Sequence, residues 1–294
     1  MPLSYGTNDI DIGSPGGSTP LSKAVAIWIA KPGFSFATQA AAAVKATVQA
    51  AVAAGNIMPL LHIDSEEIKD SETNKTETDT GRVIKNWEGL RKRIYTFTNS
   101  LDTHKKMRTF NGSDFSAYLC DMNGQLMGTS SDGILFEPFT LSYLDVAQQN
   151  WGAGFTTKVE VVFADSTEWD SRGSFFTPPY PLSAITPVYP CTIVTQSTVS
   201  ATIFTIAVAY VSTSEGDNAG VKRSVPITGL AKENFVCHNT AAPTVALIPS
   251  SAVESTTVPG TYVVTCTTFT GGPCSITPTA TNLYKSPAVT IVAA

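Results

Sequence analysis

Residues that carry chemistry are scarce in this sequence. Its three histidines, His62, His104 and His238, stand far from one another and from any plausible ligand set. That argues against a metal centre. The five cysteines (Cys120, Cys191, Cys237, Cys266 and Cys274) are odd in number, widely spaced and free of any CxxC pair. Neither a zinc site nor a disulfide framework is supported, and buried reduced thiols are expected. No GxSxG, no HExxH and no P-loop pattern occurs. Charged residues make up only 15% of the chain, well below the usual quarter. No apolar run has the length and purity of a membrane span; the closest, residues 36–54, is mostly Ala and is broken by Gln39, Lys45 and Gln49. No basic residue precedes Lys23 and no apolar core lies early, so a signal peptide is not expected. The net charge of −5 disfavours a protein that binds nucleic acid by neutralising phosphates.

Thr, Ser, Ala, Val and Gly dominate instead. Hydrophobic content of 43% in 294 residues is enough for two packed cores. Uncharged β surfaces of this kind are cheap to desolvate against a neighbour. Residues 182–294 hold four basic and four acidic residues, so the whole net negative charge sits in residues 1–181.

Residues 1–22 contain Pro15, Gly16, Gly17 and Pro20 and read as an N-terminal arm, with Tyr5, Ile10 and Ile12 available for burial on a neighbouring subunit. Lys23–Ala30 reads as a buried strand. A helix is expected near 36–54, with Phe36, Ala40, Val44, Val48 and Val52 along one face, Ser35 or Thr38 as cap and Gly55 as stop. Ile57–Ile63 reads as a strand. The very polar segment 64–80 is either a solvated loop or a long hairpin tip that orders against a partner. Arg82–Thr98 is a basic strand candidate carrying Trp87 and Tyr95. Aromatic-basic patches can bind single strands, but charge pairing with the acidic segment beside it is simpler. A helix near 100–110 follows, placing His104 among solvent-facing positions, and then the hairpin signal Asn123-Gly124. Leu135, Phe139, Leu141 and Tyr143 alternate, as do Val159, Val161 and Phe163, and these sets would share a core face.

The proline-dense stretch 165–190 reads as a semi-rigid linker or arm, and the domain division is placed at a linker over 176–190. Seven strand candidates in residues 191–294, with turn signals about every ten residues, point to a β-sandwich. Asp165, Glu168 and Asp170 could be imagined as a glycosidase acid–base set, but solvated surface is the simpler account. Cys120 has no histidine near it in sequence. Asp9 and Asp11 lack the remaining oxygen ligands of a calcium loop. The expectation is a non-enzymatic protein without cofactor.

The order of arm, strand, polar loop, charged strand, short helix and closing strands resembles the tail tube (major tail) proteins of long-tailed bacteriophages. The resemblance is carried by SETNKTETDTGRVIKNWEGLRKRIYTFTNS, by LDTHKKMRTFNG with FSAYLCDMNG, and by TTKVEVVFAD, and it covers residues 1 to about 175. The Ala-rich helix has no counterpart in that pattern. The C-terminal half looks like a bacterial immunoglobulin-like domain, on VPITGLAKENFVCHN and SSAVESTTVPGTYVVTC, although residues 182–294 lack the core Trp of antibody domains. The fold class implied is mainly β: an antiparallel sandwich or barrel with one or two helices over 23–175, then an immunoglobulin-like sandwich.

The resemblance implies a homo-oligomer of rings stacked into a tube, made in the host cytoplasm and housed in the virion. Other tail proteins would be partners and genomic DNA would pass through without specific binding. The second domain would decorate the outside and make weak contacts with host-surface glycans. Candidate contacts between copies are Tyr5, Ile10 and Ile12 of the arm, then Glu66, Glu67, Ile68, Asp70, Glu72 and Glu77 of the acidic segment, and Arg82, Arg91 and Arg93 of the basic strand. The alternatives are a capsid decoration or head-fibre protein, a contractile-device subunit, or a bacterial surface adhesin.

Overall fold

The computed structural model describes residues 23–77, 79, 83–87, 89–98, 104, 107–112, 114–147, 156–165, 167–200, 202–212, 223–279 and 281–292. The protein is mainly β, with antiparallel sheets in both of its compact units. One unit comprises Met1–Val48 and Asn56–Ile185, the other Gln49–Gly55 and Thr186–Ala294. The division after Ile185 falls inside the proline-rich stretch 176–190.

In the first unit, β1 (Ala24–Ala30) pairs β2 (Ile57–Leu61) on one edge and β7 (Ser116–Asp121) on the other. The near-continuous apolar run of β1 reflects cover on both faces, whereas an alternating strand is covered on one. Pro59 is tolerated because β2 is an edge strand. At His62 the backbone enters the left-handed region, φ 63°. That turn lets Ile63 donate to Val25 of β1 and Asp64 to Thr96, 2.9 Å each, so the chain crosses from one half of the sheet to the other.

The second half of the sheet is β3 (Ser65–Ile68), β6 (Lys92–Thr98), β10 (Thr156–Phe163) and β9 (Phe139–Val146), paired in that order. The short ribbon β4 (Asn74–Glu77) with β5 (Val83–Trp87) lies outside it. β7 joins the halves, pairing β9 at Ser116 and Ala117 and β8 (Leu126–Thr129) at Leu119 and Cys120. Asn123-Gly124 supplies the β7–β8 turn: Gly124 has φ 77°, and the buried Asp121 carboxylate accepts from Asn123 N and Gln125 N.

One core cluster spans both halves, with Ile27, Leu119 and Met127 from one and Tyr95, Leu144, Val159 and Phe163 from the other. Burying this many large side chains, at about 1.5–3 kcal/mol each, is what holds the halves face to face.

Three expectations change here. The helix over 36–54 is two pieces, α1 (Gln39–Ala42) and α2 (Lys45–Ala53). Thr38 caps α1 by accepting from Ala41 N, while Phe36 is drawn into a bridge with Phe136, 2.9 and 3.0 Å. That pairing, with Phe36 also against Tyr118 at 5.7 Å, outcompetes the helix, and Val44 ends 51% exposed. Tyr143 is also exposed. A bulge between Val162 and Phe163 makes two residues of β9 face outward in succession, so the core phase resumes at Leu144 and Val146. Third, residues 165–176 are part of the fold: α3 (Glu168–Arg172) and β11 (Gly173–Phe176), which pairs β8. Trp169 of α3 stacks on Phe139 at 4.4 Å.

The second unit is a two-sheet sandwich. One sheet runs β13 (Thr192–Ser200), β14 (Ile203–Ser212), β19 (Thr261–Thr265), β18 (Ser251–Glu254), with β15 (Arg223–Pro226) also on β14. The other runs β17 (Ala242–Leu247), β16 (Phe235–Asn239), β20 (Gly272–Ile276), β22 (Val289–Ile291). A parallel pair, β12 (Tyr189–Pro190) with β21 (Tyr284–Lys285), completes it. With β12, β15 and β21 left unlettered, the two sheets read A-B-E-D and C′-C-F-G in sequence order, the immunoglobulin arrangement. Phe204, Phe235, Tyr262 and Phe269 fill the core where antibody domains use Trp. The Tyr262 hydroxyl donates to Ile227 O (2.8 Å) and accepts from Leu230 N (3.1 Å), fastening the loop after β15.

Candidate assembly interface

Residues 64–77 and 83–98 pair as the two legs of one long hairpin. Ser65 faces Thr96, Ile68 faces Arg93, Lys69 N donates to Lys92 O, Ser71 N donates to Leu90 O, and Asn74 faces Trp87. Every pair keeps a single antiparallel register until a bulge between Asn74 and Lys75 shifts it by one residue. The expected single strand Arg82–Thr98 is therefore two, β5 and β6. Its first part leaves the sheet with β4 and its second stays.

Gly89 sits where the two parts join. A Cβ there would run into the Ser71 carbonyl, which is backbone and cannot swing aside. Only glycine lets the strands cross this closely.

The root of the arm is pinned within the chain. Arg93 donates to the Asp70 carboxylate and to Lys92 O at 3.0 Å, and its Nε lies 3.6 Å from Glu66 Oε1. Asp70 Oδ1 also accepts from Lys92 N (2.9 Å), and Glu66 Oε2 accepts from Ala24 N (3.2 Å). Arg91 lies with its guanidinium 5.8 Å from the Trp169 ring centroid, a cation–π distance. Glu66, Asp70, Arg91 and Arg93 thus have partners inside the subunit, as does Glu67.

Several described residues farther along the arm are exposed. All four residues of β4 are exposed, Glu77 among them, as is Glu72. Ile68 is 64%, Val83 57% and Leu90 53% exposed. Glu67 is exposed and bridged to Lys69 at 2.6 Å. The hydrogen bond that lysine donates, and then its charge, hold the Glu67 carboxyl below its ordinary value. Tyr5, Ile10, Ile12 and Arg82 lie outside the described residues.

No family model, curated protein or solved structure matches this chain. The geometry therefore has to carry the functional reading.

The outer face of the same sheet shows an arrangement that strand patterns alone could not place. Register puts Glu67, Ile94, Glu160 and Asp145 in one row across four strands, and Lys69, Lys92, Val162 and Tyr143 in the next. Adjacent rows of opposite charge pair, as in Lys92 to Glu160 at 2.7 Å. The Asp145 carboxylate accepts from Asn111 Nδ2 at 2.6 Å.

Glu168, Asp165, Cys120 and His104 have structural partners or burial, while Asp9 and Asp11 lie outside the described residues. Glu168 is buried; its Oε2 accepts from Thr140 N at 3.1 Å, and Arg172 lies 3.6 Å from Oε1. Burial pushes its carboxyl above the ordinary range, yet its oxygens are spent on holding α3 to β9. Asp165 accepts from Thr167 N and Oγ1. Cys120 is fully buried, and burial drives its thiol well up, the reverse of what a nucleophile needs. His104 is also not where its sequence context put it. It is 3% exposed, with Nδ1 2.9 Å from Thr157 Oγ1, and burial, then Arg108, lower its pKa. Its buried contact with β10 outweighs the polar neighbours in sequence. Among the described residues no cluster of three or more potential metal ligands occurs, and no helix is long and apolar enough to cross a membrane.

Proposed function

We propose that this chain is a non-enzymatic structural subunit that self-assembles into stacked rings, forming the tail tube of a long-tailed bacteriophage through which DNA passes. The observation that carries the reading is the arm. A two-stranded ribbon with no core of its own is marginal in water. This one holds Val83 in solvent, and the legs that lead to it expose Ile68 and Leu90 beside the pinned root. Burying those side chains against another copy would supply the stabilisation that the ribbon lacks.

The outer face of the sheet fits a channel wall. Its lysines at 69 and 92 already have carboxylate partners at 2.6 and 2.7 Å, and the exposed Lys158 attracts Glu67 on the same face, so acidic groups offset the basic ones and weaken the hold on passing phosphates. The immunoglobulin-like unit, with few charges, would decorate the outside of the tube, and other tail proteins would close its ends.

Negative-stain microscopy of the purified protein at high concentration tests the reading. Stacked rings with a central channel are expected. Replacing residues 73–88 with Asn-Gly, which closes the hairpin at the root, should leave a folded subunit that no longer stacks. Monodisperse trimers, or attachment only to capsids, would overturn the tube and favour a capsid decoration protein.

A further inference from the structure

Two buried thiols of the C-terminal sandwich face each other across neighbouring strands. Cys237 of β16 is register-paired with Cys274 of β20. Both side chains are fully buried, both are free thiols, and their sulfurs lie 3.1 Å apart. Directly opposed residues of an antiparallel pair have Cα atoms about 4.5–5.5 Å apart, inside the range of about 4.4–6.8 Å that a disulfide spans. No strand has to move for a bond to form. Cys191 and Cys266 belong to the same core cluster, but neither stands opposite a thiol in the strand register.

We propose that Cys237 and Cys274 are a redox pair that closes a cross-strand disulfide when the protein meets a small-molecule disulfide such as oxidised glutathione. In the first exchange one cysteine thiolate attacks the glutathione disulfide, forming a mixed disulfide and releasing one glutathione thiolate. The second cysteine gives its proton to solvent and displaces the remaining glutathione. Two cysteine thiols are oxidised by two electrons in all, and one external disulfide is reduced to two thiols.

The bond would join two strands 37 positions apart in sequence at the centre of the four-stranded sheet, with β17 and β22 on its flanks. It differs from the antibody bridge, which ties strand B to strand F across the sandwich. Here both sulfurs belong to one sheet. Cross-linking residues distant in sequence removes entropy from the unfolded chain, so the reduced sandwich would fold freely and the oxidised one would be locked. Full burial means that exchange waits for local opening, for which the three-residue edge strand β22 next to β20 is placed.

The test uses the full chain. After incubation with oxidised glutathione, an acid quench and denaturation, it should lose two of its five alkylatable thiols. Peptide mapping should find Cys237 linked to Cys274, with intact mass lower by two hydrogens. The thermal midpoint of the C-terminal unit should rise and fall back on reduction, while Cys274→Ala shows no oxidation-dependent shift. Five alkylatable thiols after prolonged incubation would overturn the proposal. So would a bond to Cys266, or a stable mixed disulfide at Cys237. The wild-type mass and mapping decide the matter even if the alanine variant folds poorly.

Discussion

The root and the tip of the arm belong to one hairpin, yet they live in different solvents. At the root, Tyr95 is fully buried and faces Val159 across the ladder, and Arg93 is held by two carboxylates and a carbonyl. A few residues on, β4 is exposed along its whole length. Both parts are antiparallel ladders, the tip's shifted once by the bulge between Asn74 and Lys75, so the kind of backbone pairing does not distinguish them. Cover does. The root buries its side chains in the subunit, and strand β4 of the tip leaves its own exposed. Stability and assembly should then respond to different substitutions along the same pair of strands.

The largest effect should come from the root. Tyr95→Ala removes a ring that spans the core between the sheet halves, and the expected loss is about 3–5 kcal/mol. Urea denaturation followed by tryptophan fluorescence would measure it. A loss well under 1 kcal/mol, the level typical of surface positions, would erase the contrast between root and tip.

The junction should respond in between. Gly89→Ala forces a methyl group against the Ser71 carbonyl. We expect a cost of about 1–3 kcal/mol, as for other overpacking substitutions, spent mainly on opening the arm. Hydrogen exchange at the Ser71 and Leu90 amides, which report the bonds flanking the crossing, should accelerate while amides of β1 and β7 stay protected. Unchanged protection at Ser71 and Leu90 would mean that the crossing is not tight.

Parts of this contrast were legible in the sequence, for physical reasons. The run AVAIWIA announced a strand covered on both faces, and Asn123-Gly124 announced its turn, because both are local signals. The polarity of 64–80 left a loop and a hairpin open; pairing with β6 chose the hairpin. What stayed hidden was set by partners distant in sequence. Nothing near Phe36 says that Phe136 will draw it out of a helix, and the pattern around Tyr143 does not reveal that pairing with β10 leaves Ser142 of β9 as the extra residue of a bulge. Strands β18 and β20 carry little local signal because SAVE and GPCSI are short and carry Ser, Glu, Gly or Pro, and they are strands because β19, β16 and β22 flank them. Among the candidate contacts, sequence could group acidic and basic residues but could not say which would find partners at home. Glu66, Asp70 and Arg93 did; Glu72 and Glu77 stayed in solvent.

The smallest effect on stability should be the most informative about function. Ile68 points to the core side of the sheet, in line with Arg93, Val161 and Leu144. It lies beyond the edge of the subunit's own core and is 64% exposed. Its neighbours on the ladder are paired by backbone bonds that a serine would keep. Ile68→Ser should therefore change the unfolding free energy by no more than about 0.5 kcal/mol, as at other surface sites. If a second copy covers Ile68, the same substitution removes apolar area from every subunit contact in a stack. Small losses repeated along a polymer raise the concentration needed to assemble. Sedimentation velocity across a concentration series should show the variant staying monomeric where the wild-type chain assembles. Equal assembly by both proteins would leave the exposed isoleucine as ordinary surface, and the arm would then act through Val83 and Leu90 or not at all.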